Sequence, residues 1–211
     1  QKVTWTSAFI GALQLDERYG GKPSRMQGMV VCDLGCGTGL TSLAALQLGA
    51  ERVLALDLNT DSLALTRESA ARSFGDKPAA ARLETMAFDM MGSDALAART
   101  GKRVDLLVLS DLLYYEDMAR AAAGRALEVM LAGGEVLVTD PGRNTQAAFL
   151  AELKSLAAGQ GSLGESPPAW TPPTEEVAVS FRAWIASLRF ERFAYRPAVG
   201  QAEETGYFLW L

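Results

Sequence analysis

Five aspartates close five short apolar runs along this chain: Asp33, Asp57, Asp89, Asp111 and Asp140. A carboxylate offers two acceptor oxygens and a negative charge. A row of them therefore repels pyrophosphate and favours a cation or a ligand rich in hydrogen-bond donors. Aspartate also ends strands for local reasons, as a turn former or helix cap, and that reading covers some of the five. The first acid opens the stretch Asp33-Leu34-Gly35-Cys36-Gly37-Thr38-Gly39-Leu40. Its glycines permit positive φ and close approach of backbone to a ligand. A dinucleotide fingerprint needs glycine or alanine where Leu40 stands, and the phosphate-binding G-x-x-x-x-G-K-[ST] loop is absent. A lone G-x-G-x-G is weak evidence, but an acid two residues ahead and Asp57 closing the next run make it specific.

The composition removes several other chemistries. The chain has 211 residues and no histidine, which excludes a Ser-His-Asp triad, a histidine base and the usual zinc-hydrolase spacings within it. Cys32 and Cys36 alone lack the ligand count for a structural zinc site, so no metal is expected and both read as reduced thiols. A net charge of −5 leaves no basic stripe for extended nucleic-acid binding. No apolar run reaches the length of a membrane span, and no signal-peptide pattern stands at the start. The expected location is a reducing intracellular compartment, cytoplasm or mitochondrial matrix. A start at Gln1 is compatible with removal of a transit peptide.

The elements that must carry these residues follow from apolar periodicity. Runs at 29–34, 52–56, 83–88, 104–109 and 135–139 have the length and near-continuous apolarity of parallel strands buried on both faces. Helical stretches lie between them at 40–48, 60–74, 118–131 and 145–157. In 118–131 the expected buried stripe is Met118, Ala122, Leu127, Met130 and Leu131. Gly133-Gly134 ends that helix and opens the next strand. Repeated βα units predict an α/β, doubly wound, mostly parallel sheet of seven strands, with ligands beyond the carboxyl ends of the strands.

The last third differs. Residues 159–173 are rich in proline and glycine and read as a loop, with Trp170 packing on its own domain. Thr174 can cap a helix that begins at Glu175-Glu176 and buries Val177, Phe181, Trp184 and Ile185. Runs at 190–195 and 207–211 flank a polar connection too short for a crossover helix, which predicts an antiparallel edge hairpin. The expected organisation is one domain over 1–211: a cover segment at 1–27, a cofactor-binding core at 28–143 and a C-terminal half at 144–211.

The segment 33–40 resembles motif I of the seven-β-strand methyltransferases that use S-adenosylmethionine, and the resemblance spans about residues 3–211. It implies that Gly35, Cys36, Gly37 and Gly39 hold the methionine part of the cofactor. By the same resemblance Asp33 lies near its amino group or orients the loop. Asp57, with Leu58 beside it, would take the ribose hydroxyls, and Asp89, with the Met90 backbone beside it, would reach the adenine amino group. Asp111-Leu112-Leu113-Tyr114 is similar to the D-x-x-Y motif of the protein lysine methyltransferases in this group. Trp5-Thr6-Ser7-Ala8 resembles their cofactor-covering tryptophan segment, placed before a short helix. Asp140-Pro141-Gly142-Arg143 is similar to the branch acting on electron-transfer flavoprotein. Many relatives carry tryptophan where Met90 stands, and the Asn-Pro-Pro-Tyr of many amino-methylating nucleic-acid enzymes is absent.

The resemblance implies methyl transfer to nitrogen, with a protein lysine as the expected acceptor. Lysine must first lose a proton, which costs about 4–5 kcal/mol near neutral pH from a reference pKa of about 10.4. Asp111 and Tyr114 are the residues expected to position the acceptor, and Arg143 is expected either to meet an acidic substrate or to be solvated. Two other functions stay open at this point: a small-molecule amine methyltransferase, and a methyltransferase-like scaffold or assembly subunit without turnover.

Overall fold

The structure is a computed structural model that describes residues 6–21, 25–75, 77–101, 103–160, 174–196 and 203–211. Trp5, Trp170, the loop beyond residue 160 and most of the 196–206 connection lie outside the described residues. A helix α1 (Thr6–Tyr19) precedes β1 (Val30–Leu34), α2 (Leu40–Gln47), β2 (Arg52–Asp57) and α3 (Thr60–Phe74). A 3-10 turn (Ala80–Arg82) leads into β3 (Leu83–Ala87), followed by α4 (Leu96–Thr100), β4 (Leu106–Ser110), α5 (Glu116–Leu131) and β5 (Glu135–Asp140). The chain ends with α6 (Gln146–Ala157), α7 (Glu175–Ser187), β6 (Glu191–Tyr195) and β7 (Glu204–Trp210).

The strands form one seven-stranded sheet in the order β3-β2-β1-β4-β5-β7-β6. β1 to β5 run parallel, and β7 lies antiparallel to both β5 and β6. This is the expected doubly wound sheet with its antiparallel edge hairpin. β1 sits between β2 and β4, so the winding reverses there and a crevice opens beyond the ends of that pair.

Side-chain alternation explains how both faces are covered. Leu107 and Leu109 of β4 join an apolar layer with α5 and α6, while Leu106 and Val108 join one with α1, α2 and α3. Burying each such side chain contributes roughly 1.5–3 kcal/mol. β1 and β4 are buried along their whole length, as their apolar runs predicted. β3 departs from that expectation. It is the edge strand, half-buried, and its Glu84 pairs with Arg52 at 2.5 Å. Pairing on one side only leaves its outer side chains in water.

Two helices bury different stripes from those their periodicity predicted. In α5 the most buried residues are alanines (119, 122, 123 and 126), followed by Val129, Ala121 and Leu127, while Met118, Met130 and Leu131 are only partly buried. Small side chains let α5 approach the sheet and α6 closely. In α7, Ala178 and Ile185 are buried and Phe181 packs partly, but Val177 and Trp184 remain 43% and 42% exposed. This helix lies at the edge against α6, so a narrow stripe suffices. Thr174 caps it as expected, accepting from the Val177 amide at 3.2 Å. Among the described residues, no helix is long and apolar enough to cross a membrane.

Candidate active site

The glycine turn leaves β1 at the switch point and is tied to the neighbouring strand. The amides of Gly35 and Cys36 both donate to the Leu56 carbonyl, at 2.7 and 3.0 Å. Gly35, Gly37 and Gly39 have φ of +73°, +55° and +84°. A β-carbon on Gly35 would lie 2.3 Å from Leu112 Cδ2, and one on Gly39 would lie 2.7 Å from Thr66 Cγ2. These two glycines answer to packing as well as to φ. Gly37 differs, because a β-carbon there would meet nothing within 4 Å. Cys36 turns its thiol inward, 3.5 Å from Thr66 Oγ1, so only its backbone borders the crevice. Both cysteines are free and buried, and burial raises both thiol pKa values.

The first two acids converge on this turn from different strands. Asp33 is buried, and its Oδ2 accepts from Thr41 Oγ at 2.5 Å and Ser42 Oγ at 2.6 Å. It thereby ties the end of β1 to the first turn of α2. Its Oδ1 is buried with no hydrogen-bond partner, and burial raises the carboxyl pKa. At the end of β2, Asp57 Oδ2 accepts from the Gly37 amide at 3.0 Å and Oδ1 from the Asn59 amide at 2.8 Å. A carboxylate has about four lone-pair sites, so two backbone amides leave capacity for further donors. Leu58 beside it is 69% exposed.

Beyond β3, exposed Asp89 accepts from the Met91 amide at 2.9 Å. Met90 is buried within the apolar layer, so its backbone rather than its side chain stands beside Asp89, whereas the Met91 side chain is exposed. Arg125 of α5 pins this loop, donating to the carbonyls of Met90 at 3.1 Å and Gly92 at 2.6 Å.

The fourth and fifth acids form a unit that sequence reasoning missed. Asp111, 4% exposed, follows β4 with φ +60°, the one positive φ outside glycine among the described residues. Aspartate tolerates this left-handed conformation better than most residues. Arg143 Nη1 forms ion pairs with Asp111 Oδ1 and, at 2.8 Å, with Asp140 Oδ2. The other oxygen of Asp140 accepts from the amides of Gly142 (2.8 Å) and Arg143 (2.6 Å) and from Gln146 Nε2 (2.9 Å). The guanidinium carbon stands 4.4 Å from the centre of the Tyr114 ring. Arg143 is therefore held by two acids of its own chain rather than left to solvent alone. The acidic edge is bracketed at this end by a resident cation. Burial raises the Asp111 pKa, opposed by Arg143, and burial with Asp111 raises that of Tyr114.

α1 closes the crevice over β4 and β5. Thr139 Oγ donates to the Ser7 carbonyl at 2.8 Å and lies 3.0 Å from Ser110 Oγ. A β-carbon on Gly11 would lie 2.8 Å from Thr41 Cγ2 and 2.9 Å from Ser110 Oγ, so glycine permits this seat. Ser7 Oγ is buried without a hydrogen-bond partner, like Asp33 Oδ1. Thr6 Oγ donates to Glu204 at 2.9 Å, anchoring the start of α1 on the edge hairpin. Met91 and Arg125 carried no sequence signal, and Ser7 stood in the tryptophan segment without a role of its own. Arg143 stood in a quoted motif, but its partners are brought together only by the pairing of β4 with β5.

A family profile described as "Methyltransferase domain" matches residues 26–171. The chain is 32% identical to the electron transfer flavoprotein beta subunit lysine methyltransferase of Rattus norvegicus over 66% of this chain and 51% of that protein. It is 33% identical to a ribosomal protein L11 methyltransferase of Parasynechococcus marenigrum, over 59% of this chain and 38% of that protein. The chain thus spans about half or less of the length of these curated relatives. In fold it is similar to the magnesium protoporphyrin IX methyltransferase of Synechocystis, solved with bound SAH, with a TM-score of 0.53 and 15% identity over 100% of this chain and 87% of that one. With the sheet order, the glycine turn and a match covering more than half its length, the chain belongs to the methyltransferase domain family.

Proposed function

We propose that this domain is an S-adenosylmethionine-dependent methyltransferase acting on nitrogen, with a protein lysine side chain as the acceptor. The observation that carries the reading is the bond from the Gly37 amide to Asp57 at 3.0 Å. It joins a glycine turn of open approach to an acid from the next strand at the switch point of the sheet. The residues present fit the cofactor. Asp33 Oδ1 and Ser7 Oγ are buried polar atoms without partners, and unsatisfied groups of that kind call for a ligand or water. Asp33 Oδ1 would receive the ammonium of the methionine part and Ser7 Oγ its carboxylate. The backbone of Gly35–Gly39 would lie along it. Asp57 has the acceptor capacity for two ribose hydroxyls, Leu58 and Met91 offer apolar cover, and Asp89 would accept from the adenine amino group.

When bound, the cofactor supplies a methyl group on a sulfonium, which passes to the acceptor nitrogen while the electrons of the breaking S–C bond stay on sulfur. No covalent bond to the chain is needed, so alignment is the main task of the protein. Asp111 would accept an N–H of the arriving amine, and Tyr114 would flank its aliphatic stem. Support for a protein acceptor comes from the relatives named above and from Tyr115 and Met91, which stand 73% and 56% exposed at the rim. Exposed apolar residues beside a cleft suit a macromolecular partner.

Calorimetric titration with S-adenosylhomocysteine tests the cofactor site. Wild type should bind, and Asp57→Ala should bind at least about tenfold more weakly, because a charged acceptor of two hydroxyls is lost. Labelled S-adenosylmethionine with whole-cell protein extract, followed by amino-acid analysis, tests the acceptor. Methyl-lysine is expected. Binding without any transfer would favour a scaffold, and label confined to small molecules would favour a small-molecule amine acceptor.

A further inference from the structure

We infer that Arg143 is a positioning residue for the acceptor: by sharing Nη1 between Asp111 and Asp140 it keeps Asp111 anionic and aimed at the arriving amine. This rests on the reading of the site as a nitrogen methyltransferase. Two carboxylates at the ends of adjacent strands β4 and β5 meet one guanidinium nitrogen. Without that cation, burial and the nearby Asp140 charge would both favour the protonated form of Asp111. A protonated Asp111 would present a hydroxyl where an amine donor needs an acceptor.

Geometry supports more than a structural bracket. Arg143 takes only Oδ1 of Asp111, and the carboxylate's second oxygen receives no bond from any described residue. Asp140, by contrast, also accepts three bonds on its other oxygen, from the amides of Gly142 and Arg143 and from Gln146. The arginine therefore anchors on the more fully bonded acid and leaves capacity on the other. Asp111 also holds the φ of +60°. A strained residue persists only when its surroundings over-determine it, and such residues cluster at working sites. Tyr114 closes the fourth side, with its ring 4.4 Å from the guanidinium carbon. The charged and titratable groups that face Asp111 are thus Arg143, Asp140 and Tyr114. Arg143 itself is 24% exposed, so the bracket borders the solvent-facing side of the crevice.

The test uses Arg143→Gln, which keeps length and polarity without charge, and Arg143→Lys, which keeps the charge. S-adenosylhomocysteine binding checks that each variant folds. The rate of label transfer from S-adenosylmethionine to protein lysine in cell extract is followed against pH. Both variants should bind the probe within about threefold of wild type, since Arg143 does not touch the cofactor seat. Arg143→Gln should transfer at least about tenfold more slowly, and the acid limb of its pH profile should move to higher pH, because Asp111 loses the cation that opposes its protonation. Arg143→Lys should restore most of the rate and return the limb toward its wild-type position. Wild-type rate with an unmoved limb in Arg143→Gln overturns the inference, even if its melting temperature falls. If Arg143→Gln does not fold, a limb in Arg143→Lys that moves as though the charge were lost overturns it. Failure of the wild type to methylate any amine sinks the nitrogen-methyltransferase reading instead, and this inference with it.

Discussion

Adding one methyl group to Gly37 separates a backbone effect from a ligand effect. Gly37 has φ +55° and no atom within 4 Å of where a β-carbon would stand. Gly101, at the C-terminal end of α4, has φ +63° and is equally open, yet lies away from the glycine turn. Alanine at either position meets the same left-handed penalty, roughly 1–2 kcal/mol, with no clash to add. Urea denaturation should show comparable falls in stability for Gly37→Ala and Gly101→Ala. Binding should part them. If the cofactor backbone lies against Gly37, the new methyl overpacks that contact by about 1–3 kcal/mol, which weakens binding by roughly 5- to 150-fold. Titration with S-adenosylhomocysteine reads this directly, with Gly101→Ala expected to bind as wild type does. Equal affinity of the two variants would refute the assignment of the glycine turn as the cofactor's seat, whatever their stabilities.

Three further outcomes are expected. Asp111→Asn keeps a residue that tolerates φ +60° but loses the charge, so S-adenosylhomocysteine affinity should hold while transfer slows by about tenfold or more; an unchanged rate would remove Asp111 from the acceptor site. Burial raises the Asp33 pKa, and an ammonium beside Oδ1 would favour its ionised form, so binding should release protons and tighten as pH rises through that pKa. Calorimetry in two buffers of different ionisation enthalpy checks this, and Asp33→Asn should abolish the release. Thr174→Ala removes the cap on α7 and should cost about 0.5–2 kcal/mol in denaturant stability with no change in cofactor affinity.

Local chemistry made most of this protein legible in advance. Apolar runs bounded by aspartate gave β1, β2, β4 and β5 to within two residues, because a strand buried on both faces must be apolar throughout. The glycine turn was equally readable, since three positive-φ positions leave few alternatives to glycine. Periodicity failed where burial depended on a neighbour's position. β3 read like the central strands yet lies at the edge, and α7 exposes Trp184 because it packs against α6 along a narrow stripe.

The site divides in the same way. Asp33, Asp57 and the turn between them are coupled through residues close in sequence or one βα unit apart, so spacing alone placed them together. Arg143 could not be assigned, because whether it met solvent, substrate or its own chain depended on the register of β5 against β4. That register sets Asp111 and Asp140 around a single guanidinium. Met90 and Met91 illustrate the rule on one bond: adjacent residues of the same type, one buried and one exposed, sorted only by the way the loop after β3 is pinned to α5. Residue type and spacing declare which backbone shapes are permitted. Which side chains then face each other, and so which charges cancel, follows from long-range packing that no local pattern encodes.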